Sequence, residues 1–247
     1  MATWEKLIHI KNTKGAGYFV LIDPDKQSPE DSAKVAVQAE HEDVDGIFIG
    51  GSLLSTPLFD LVVKQIKTQV KIPVIIFPGG VQQISAHAVA LLFMSVISGR
   101  NPDLLIGRHV MAAPIIKKIG LETISLAYLL IESGKVSSAE FMSNTRPIPR
   151  DKADIAVAHA LAAQYLGMKM IYLEAGSGAP QAVPNEMIVS VSKMCQLPLV
   201  VCGGITTPDL ARQKVKAGAS FIVTGTILEK NNSDGKMAEF ARAIHKC

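Results

Sequence analysis

Eight short runs of continuous apolar residues dominate this sequence. They are Tyr18 to Ile22, Gly46 to Ile49, Pro73 to Phe77, Leu91 to Val96, Leu126 to Ile131, Met170 to Leu173, Leu197 to Cys202 and Phe221 to Val223. The runs are rich in Val, Ile and Leu and do not alternate with polar residues. That is the pattern of strands buried on both faces of a parallel sheet. Eight such strands within 247 residues match the (β/α)8 TIM barrel, which takes ~250 residues, better than a doubly wound sheet of about five or six strands. The competing assignment places one run, Leu126 to Ile131, in a buried helix.

The connections carry helix signals. Ser28-Pro29-Glu30-Asp31, Thr56-Pro57 and Thr207-Pro208-Asp209 each set a capping hydroxyl before a proline at the first helical position. Behind Thr56, the spacing of Leu58, Leu61, Val62 and Ile66 predicts one apolar stripe facing the sheet. From Asp151, the residues Ile155, Ala158, Ala162 and Leu166 predict another, with Gly167 ending the helix. The longest irregular stretch, Gly134 to Arg150, has the length of a lid or binding loop. No linker interrupts the β/α rhythm, so residues 1–247 are expected to form a single domain.

Composition excludes other classes. Hydrophobic residues make up 48% and mean hydropathy is +0.27, yet no run approaches the ~18 apolar residues of a membrane span. The opening Met-Ala-Thr-Trp-Glu-Lys lacks the apolar core of a signal peptide. Cys195, Cys202 and Cys247 form no C-x-x-C or metal spacing, so they are expected to be reduced. A cytoplasmic protein without stable membrane insertion is the expectation. A net charge of +3, spread along the chain, tolerates small anions and does not point to nucleic acid.

In a TIM barrel the chemistry sits at the C-terminal ends of the strands. The residues just after each apolar run are therefore diagnostic. Asp23-Pro24-Asp25-Lys26 stands after the first and Gly50-Gly51-Ser52 after the second. Glu174-Ala175-Gly176-Ser177-Gly178 stands after the sixth, Gly203-Gly204-Ile205-Thr206 after the seventh and Thr224-Gly225-Thr226 after the eighth. Glycines let backbone N–H groups approach an anion, and barrel phosphates are commonly held by the loops after strands seven and eight. Three adjacent glycine loops therefore predict a phosphate cradle rather than tight turns alone. Asp23 has two readings: a cap for the turn before Pro24, or, with Ser52 on the neighbouring strand, a ligand for Mg²⁺. Glu174 likewise is either a structural acceptor or a general base beside the bound phosphate compound. A Schiff-base lysine is not indicated, because Lys71 and Lys169 precede their strands. Cys202 sits inside an apolar run and reads as core, and His159 as a packed helix histidine.

The set Leu21-Ile22-Asp23-Pro24-Asp25-Lys26, Gly50-Gly51-Ser52, Tyr172-Leu173-Glu174-Ala175-Gly176-Ser177-Gly178, Cys202-Gly203-Gly204-Ile205 and Gly225-Thr226 resembles the geranylgeranylglyceryl phosphate synthase family. Its relatives include bacterial heptaprenylglyceryl phosphate synthases. Ser98-Gly99-Arg100-Asn101-Pro102 through Gly107-Arg108-His109 also resembles the family's region after strand four. The resemblance covers about residues 18 to 228. It implies a TIM barrel modified at one helix that joins sn-glycerol 1-phosphate to an allylic polyprenyl diphosphate, by default geranylgeranyl, through an ether. It further implies Asp23 and Ser52 as Mg²⁺ ligands and Glu174 as the base. Tyr172, Leu173, Glu174, Ala175, Gly176, Ser177, Gly178, Gly203, Gly204, Gly225 and Thr226 would form the glycerol phosphate site. Leu21 stands where several bacterial relatives have a lysine. The segment Asn144 to Arg150 resembles the larger second branch, whose members are often higher oligomers, so a homo-oligomer (dimer or hexamer) is expected. Arg100, Arg146 and Arg150 are candidates to meet diphosphate or to form surface contacts. Two other functions compete: a phosphosugar isomerase or cyclase using the same phosphate loops, and a non-catalytic barrel that binds polyprenyl phosphate.

Overall fold

A computed structural model describes residues 1–225 and 235–245. Every apolar run is a strand: β1 (Gly17–Ile22), β2 (Gly46–Ile49), β3 (Val74–Ile76), β4 (Ala90–Val96), β5 (Glu122–Leu130), β6 (Met170–Glu174), β7 (Leu199–Cys202) and β8 (Phe221–Thr224). All pair in parallel and in chain order. β8 returns to β1, with Gly17 opposite Phe221 and Val20 opposite Thr224, so the barrel closes. The run at 126–131 belongs to β5, not to a helix.

Alternate side chains serve two cores. Tyr18, Val20, Ile47, Ile49, Leu173 and Val201 face outward into the layer shared with the helices. Phe19, Phe48, Ile75, Leu126, Tyr172 and Val200 fill the barrel interior. Phe19 stacks on Phe48 at 4.8 Å between centroids and meets Phe221 edge-on at 5.7 Å. Both faces of each strand are therefore apolar, which explains the absence of alternation. Helix α1 (Thr3–Lys14) closes the N-terminal end of the barrel, with Leu7 buried among the interior residues. Its first N–H groups are satisfied across the barrel: Thr3 N and Trp4 N donate to the Glu122 carboxylate at 2.6 and 2.9 Å.

The remaining helices are α2 (Pro29–His41), α3 (Phe59–Gln69), α4 (Arg108–Ile119), α5 (Ser138–Ser143), α6 (Ala153–Tyr165), α7 (Asn185–Met194), α8 (Pro208–Lys216) and α9 (Lys236–Ile244). Ser28 and Thr207 cap α2 and α8 as their sequence predicts. Thr56 does not cap α3, which starts two residues after Pro57. Its hydroxyl accepts from Leu58 N at 3.1 Å instead, in a turn that the Asp25 carboxylate anchors through Ser55 N and Thr56 N. The buried face of α3 is consequently Phe59, Val62, Val63 and Ile66, while Leu58 and Leu61 are exposed.

Helix α6 departs further from its predicted stripe. Ala156, Ala160 and Ala163 face the sheet, whereas Ile155, Ala158, Ala162 and Leu166 are exposed. The helix is apolar around most of its circumference, so periodicity admits two faces. The face of small side chains is the one laid on the sheet. Gly167 ends this helix at φ +73°, as expected. The 134–150 stretch is not wholly irregular, since α5 lies within it, capped by Ser137 accepting from Glu140 N at 3.1 Å.

One barrel unit lacks its helix: β3 connects to β4 without one. Buried Gln83 organises this connection. Its Oε1 accepts from Gly51 N and Gly79 N, and its Nε2 donates to Gly51 O. After β4 comes a π-helical turn, Asp103–Gly107, before α4. The Leu7 plug gives a direct test. Leu7→Ala is expected to cost about 2–4 kcal/mol through the cavity left beneath the interior core, measured by urea denaturation.

Candidate active site

The C-terminal rim of the barrel opens into a cavity of about 780 Å³. Parallel closure assembles it. The Ile22–Ile49 pairing brings the exits of β1 and β2 together, and the pairings of β6 with β7 and β7 with β8 do the same for the three glycine loops. Asp23, Gly50, Gly51 and Ser52 line one part of it. Glu174, Gly176, Ser177, Gly178, Gly203, Gly204 and Gly225 line another.

Glu174 ends β6 pointing into the barrel, 5% exposed. Its Oε1 accepts from Gly176 N at 2.5 Å. Burial raises its pKa to about 7, and the Gly176 N–H and the Cys202 thiol only partly oppose that rise. Cys202 stands opposite Glu174 in the β6–β7 register. It is buried, as its apolar surroundings suggest, but it also lines the cavity, and burial with the neighbouring carboxylate pushes its thiol pKa up. Beneath this floor, Tyr172 packs between Phe77 at 5.1 Å and Tyr128 at 5.6 Å.

Two glycines are needed by geometry. A Cβ on Gly203 would lie 2.6 Å from Gly176 N and 2.7 Å from Glu174 Oε1. At Gly204 it would lie 2.7 Å from Ala182 N. Both residues have positive φ, +86° and +68°, so they alone let the β7 loop nest against the β6 loop. The outcome is a concave backbone surface suited to an anion.

Other predicted site residues separate by strand parity. Leu173 and Ala175 point outward into the helix layer, so only their backbones can serve the site. Tyr172 is inside the barrel but below the cavity lining. Thr226 lies outside the described residues. Arg100 braces its own turn, donating to Gly99 O at 2.7 Å, and Arg150 bridges Glu132 O and Ala182 O at 3.0 and 2.9 Å. Arg146 is exposed, and none of the three lines the cavity.

Asp23 is half-buried, and its Oδ1 accepts from Asp25 N at 3.1 Å. Gly51 packs so closely that a Cβ there would sit 3.1 Å from the same oxygen. No group of three or more His, Cys, Asp or Glu side chains suited to a metal occurs among the described residues. A single carboxylate, with the exposed Ser52 on the same cavity rim, does not make a protein cage. It fits a hard cation that takes most of its ligands from phosphate and water.

The apolar flank was not visible in the sequence. Met94, Val96 and Leu104 line the cavity together with Arg108, and a second apolar pocket of about 70 Å³ shares these four residues. It continues outward past Ile84, Leu91 and Phe93, at the unit that lacks its helix. Arg108 donates to Gly79 O at 2.7 Å. The π-helical turn that sets this flank is tied to β4 by Ser95, whose hydroxyl donates to Leu105 O at 3.2 Å and meets buried His109 Nε2 at 3.1 Å. The family resemblance over Ser98 to Pro102 and Gly107 to His109 marked this region without indicating a groove. Helix α5 covers part of the mouth, with Ala139 and Met142 lining the cavity and Phe141 79% exposed.

Fold and site define a TIM-barrel enzyme that brings a carboxylate, a glycine-built anion cradle and an apolar groove into one cavity. The chain belongs to the PcrB family, whose model matches residues 8–244. It is 48% identical over 236 residues to the geranylgeranylglyceryl phosphate synthase of Chitinophaga pinensis, covering 95% of this chain and 93% of that one. To the synthase of Thermococcus gammatolerans it is 48% identical over 230 residues, covering 93% and 90%. The solved (S)-3-O-geranylgeranylglyceryl phosphate synthase of Thermoplasma acidophilum, in complex with sn-glycerol-1-phosphate, matches with a TM-score of 0.94 at 33% identity over 100% of both chains.

The Glu174 environment has a consequence for stability. Its folded-state pKa of about 7 stands above the ordinary 4.5. The contribution tied to this one group is therefore fully present below about pH 4.5 and lost as pH rises through about 7. Glu174→Gln removes that loss. It should leave the urea midpoint little changed near pH 4.5 and raise stability at pH 8 by on the order of 3 kcal/mol. An equal effect at both pH values would contradict the buried-carboxylate account.

Proposed function

We infer that this protein forms an ether between the 3-hydroxyl of sn-glycerol 1-phosphate and an allylic polyprenyl diphosphate, releasing diphosphate, with geranylgeranyl diphosphate as the donor. One observation carries the reading. Glu174, desolvated and tuned near neutrality, shares a cavity with an anion cradle on one side and an apolar groove on the other. The named activity of the relatives and the glycerol phosphate held by the Thermoplasma structure support it.

The geometry divides the roles. Backbone groups of Gly176–178, Gly203, Gly204 and Gly225 receive the phosphate. Glu174, once ionised, takes the proton from the hydroxyl as its oxygen bonds to the allylic carbon. The carbon–oxygen bond to diphosphate breaks, and its electron pair leaves with the diphosphate. Met94, Val96 and Leu104 shield the reacting carbon and prenyl chain from water. Asp23 and Ser52 would hold Mg²⁺, which when bound offsets negative charge on the departing diphosphate. Lys26 and Arg108 line the same cavity and add positive charge for an anionic substrate.

In this reading the enzyme is cytoplasmic and acts on a lipid precursor without entering the bilayer. No helix among the described residues is long and apolar enough to cross a membrane. Self-association is also part of this reading. Met111, Ile115 and Ile119 form an exposed i, i+4, i+8 stripe on α4. An apolar stripe of that kind suits a homo-oligomer, dimer or hexamer.

The decisive experiment incubates the protein with sn-glycerol 1-phosphate, Mg²⁺ and prenyl diphosphates of increasing length. An ether product of the corresponding mass is expected, and none from any donor would sink the reading. Glu174→Gln should lower kcat by about 10²–10⁴-fold while leaving the KM for glycerol phosphate nearly unchanged. Turnover of the wild type should climb as pH rises through about 7. Asp23→Asn should sharply raise the Mg²⁺ concentration giving half-maximal rate, and an unchanged metal titration would remove Asp23 as a ligand.

A further inference from the structure

Lys214 is buried, and none of the carboxylates among the described residues pairs with it. It lies on α8, on the buried face shared with Ala211, and is only 4% exposed. Burying an ammonium ion is costly unless its donors are satisfied. Here two carbonyl-type acceptors do this: Val183 O and Asn185 Oδ1, both at 2.7 Å. None of the described ion pairs includes it. Burial and the nearby Arg150 guanidinium bring its pKa down to about 8.

Arg150 reaches the same segment. Its two guanidinium nitrogens donate to Glu132 O and Ala182 O at 3.0 and 2.9 Å. Two cations thus grip the carbonyls of consecutive residues, Ala182 and Val183. This segment leads from the Gly176–178 loop into α7, whose first residue is Asn185. The N-terminus of α7 carries positive partial charge of its own, so a lysine there runs against the usual helix preference. The two cations and the helix N-terminus repel one another; the Glu132 carboxylate near Arg150 offsets part of this, and an anion at the cradle would offset more.

The gripped segment backs the cradle directly. Ala182 N is so close to Gly204 that a Cβ on Gly204 would lie 2.7 Å from it. Gly203 in turn nests against Gly176 N. The cradle itself is built from glycines and hydroxyls. The described cations lining the cavity, Lys26, Arg108 and Lys236, come from the first and fourth β/α units and from α9, not from the β6 and β7 loops.

We propose that Lys214 and Arg150 are positioning residues for the phosphate site, a cationic clamp that holds the 182–185 segment against Gly204 and supplies positive charge from behind the cradle. This rests on the glycerol phosphate reading of the cradle. The clamp is a property of the phosphate half of the site, so it affects phosphate affinity and leaves the prenyl half alone.

The test measures binding and catalysis separately. Lys214→Met keeps the buried volume and removes the charge and both hydrogen bonds. Arg150→Gln, on a half-buried loop residue, provides a second variant where the first fails to fold. Calorimetric titration with sn-glycerol 1-phosphate and with inorganic phosphate should show each variant weakened by roughly tenfold. The KM for glycerol phosphate should rise alike, while kcat and the KM for prenyl diphosphate stay within about twofold, as expected for loss of uniform binding. A variant with a lowered Tm but unchanged phosphate affinity reduces the pair to a structural brace and overturns the proposal. Equal loss in both substrates' KM overturns it as well. Wild-type protein that binds neither phosphate ligand overturns cradle and clamp together. Wild-type protein that binds phosphate yet forms no ether sinks the activity alone, and the variants' phosphate affinities then decide the clamp.

Discussion

Closure of β8 onto β1 is the constraint on which the rest depends. A parallel barrel has no free edge, so each strand must pair on both sides and bury both faces. That requirement produces the continuous apolar runs, the inner and outer cores and the α1 plug beneath the inner core. It also forces all eight strand exits to one end. Residues separated by most of the chain, such as Asp23 and Gly225, therefore line the same cavity.

The departure from a regular barrel shapes the cavity. Where a helix would cover β3 and β4, the chain instead runs as a connection stapled by Gln83, with a π-helical turn after β4. A covering helix would fill this space with its own side chains. Its absence leaves the pocket beside Met94, Val96 and Leu104 continuous with the rim cavity. The polar half of the site needs close backbone approach at Gly203 and Gly204. The apolar half needs a gap in the outer layer. One strand-end carboxylate, Glu174, stands where both meet the barrel floor.

Strands and strand exits were legible because each is a local property. A strand buried on both faces is mostly apolar, and the loops that leave β1, β2, β6, β7 and β8 bring polar and glycine residues to the rim. Helix faces were less legible. Around α6 almost any rotation presents apolar side chains, and only the space above the sheet selects Ala156, Ala160 and Ala163 over Ile155 and Leu166. The start of α3 was shifted by a tertiary bond, the Asp25 carboxylate holding Ser55 and Thr56 in a turn. Arg100 and Arg150 read alike as cations that meet diphosphate or form surface contacts, yet both are committed to backbone carbonyls that pair with them only after folding.

Patterning along the chain is enough to place the eight strands, the glycine loops behind strands six to eight, and Asp23, Ser52 and Glu174 at the strand exits. Hydrophobic runs and glycine positions are written residue by residue. Folding in three dimensions was needed to fix which way Leu173 and Glu174 face relative to the barrel axis, how far burial raises the carboxylate, and where the apolar groove lies. It also buried Lys214, on a helix whose sequence is largely polar, against Val183 O and Asn185 Oδ1. These properties depend on which groups exclude water from one another, and that is set by contacts between distant parts of the chain.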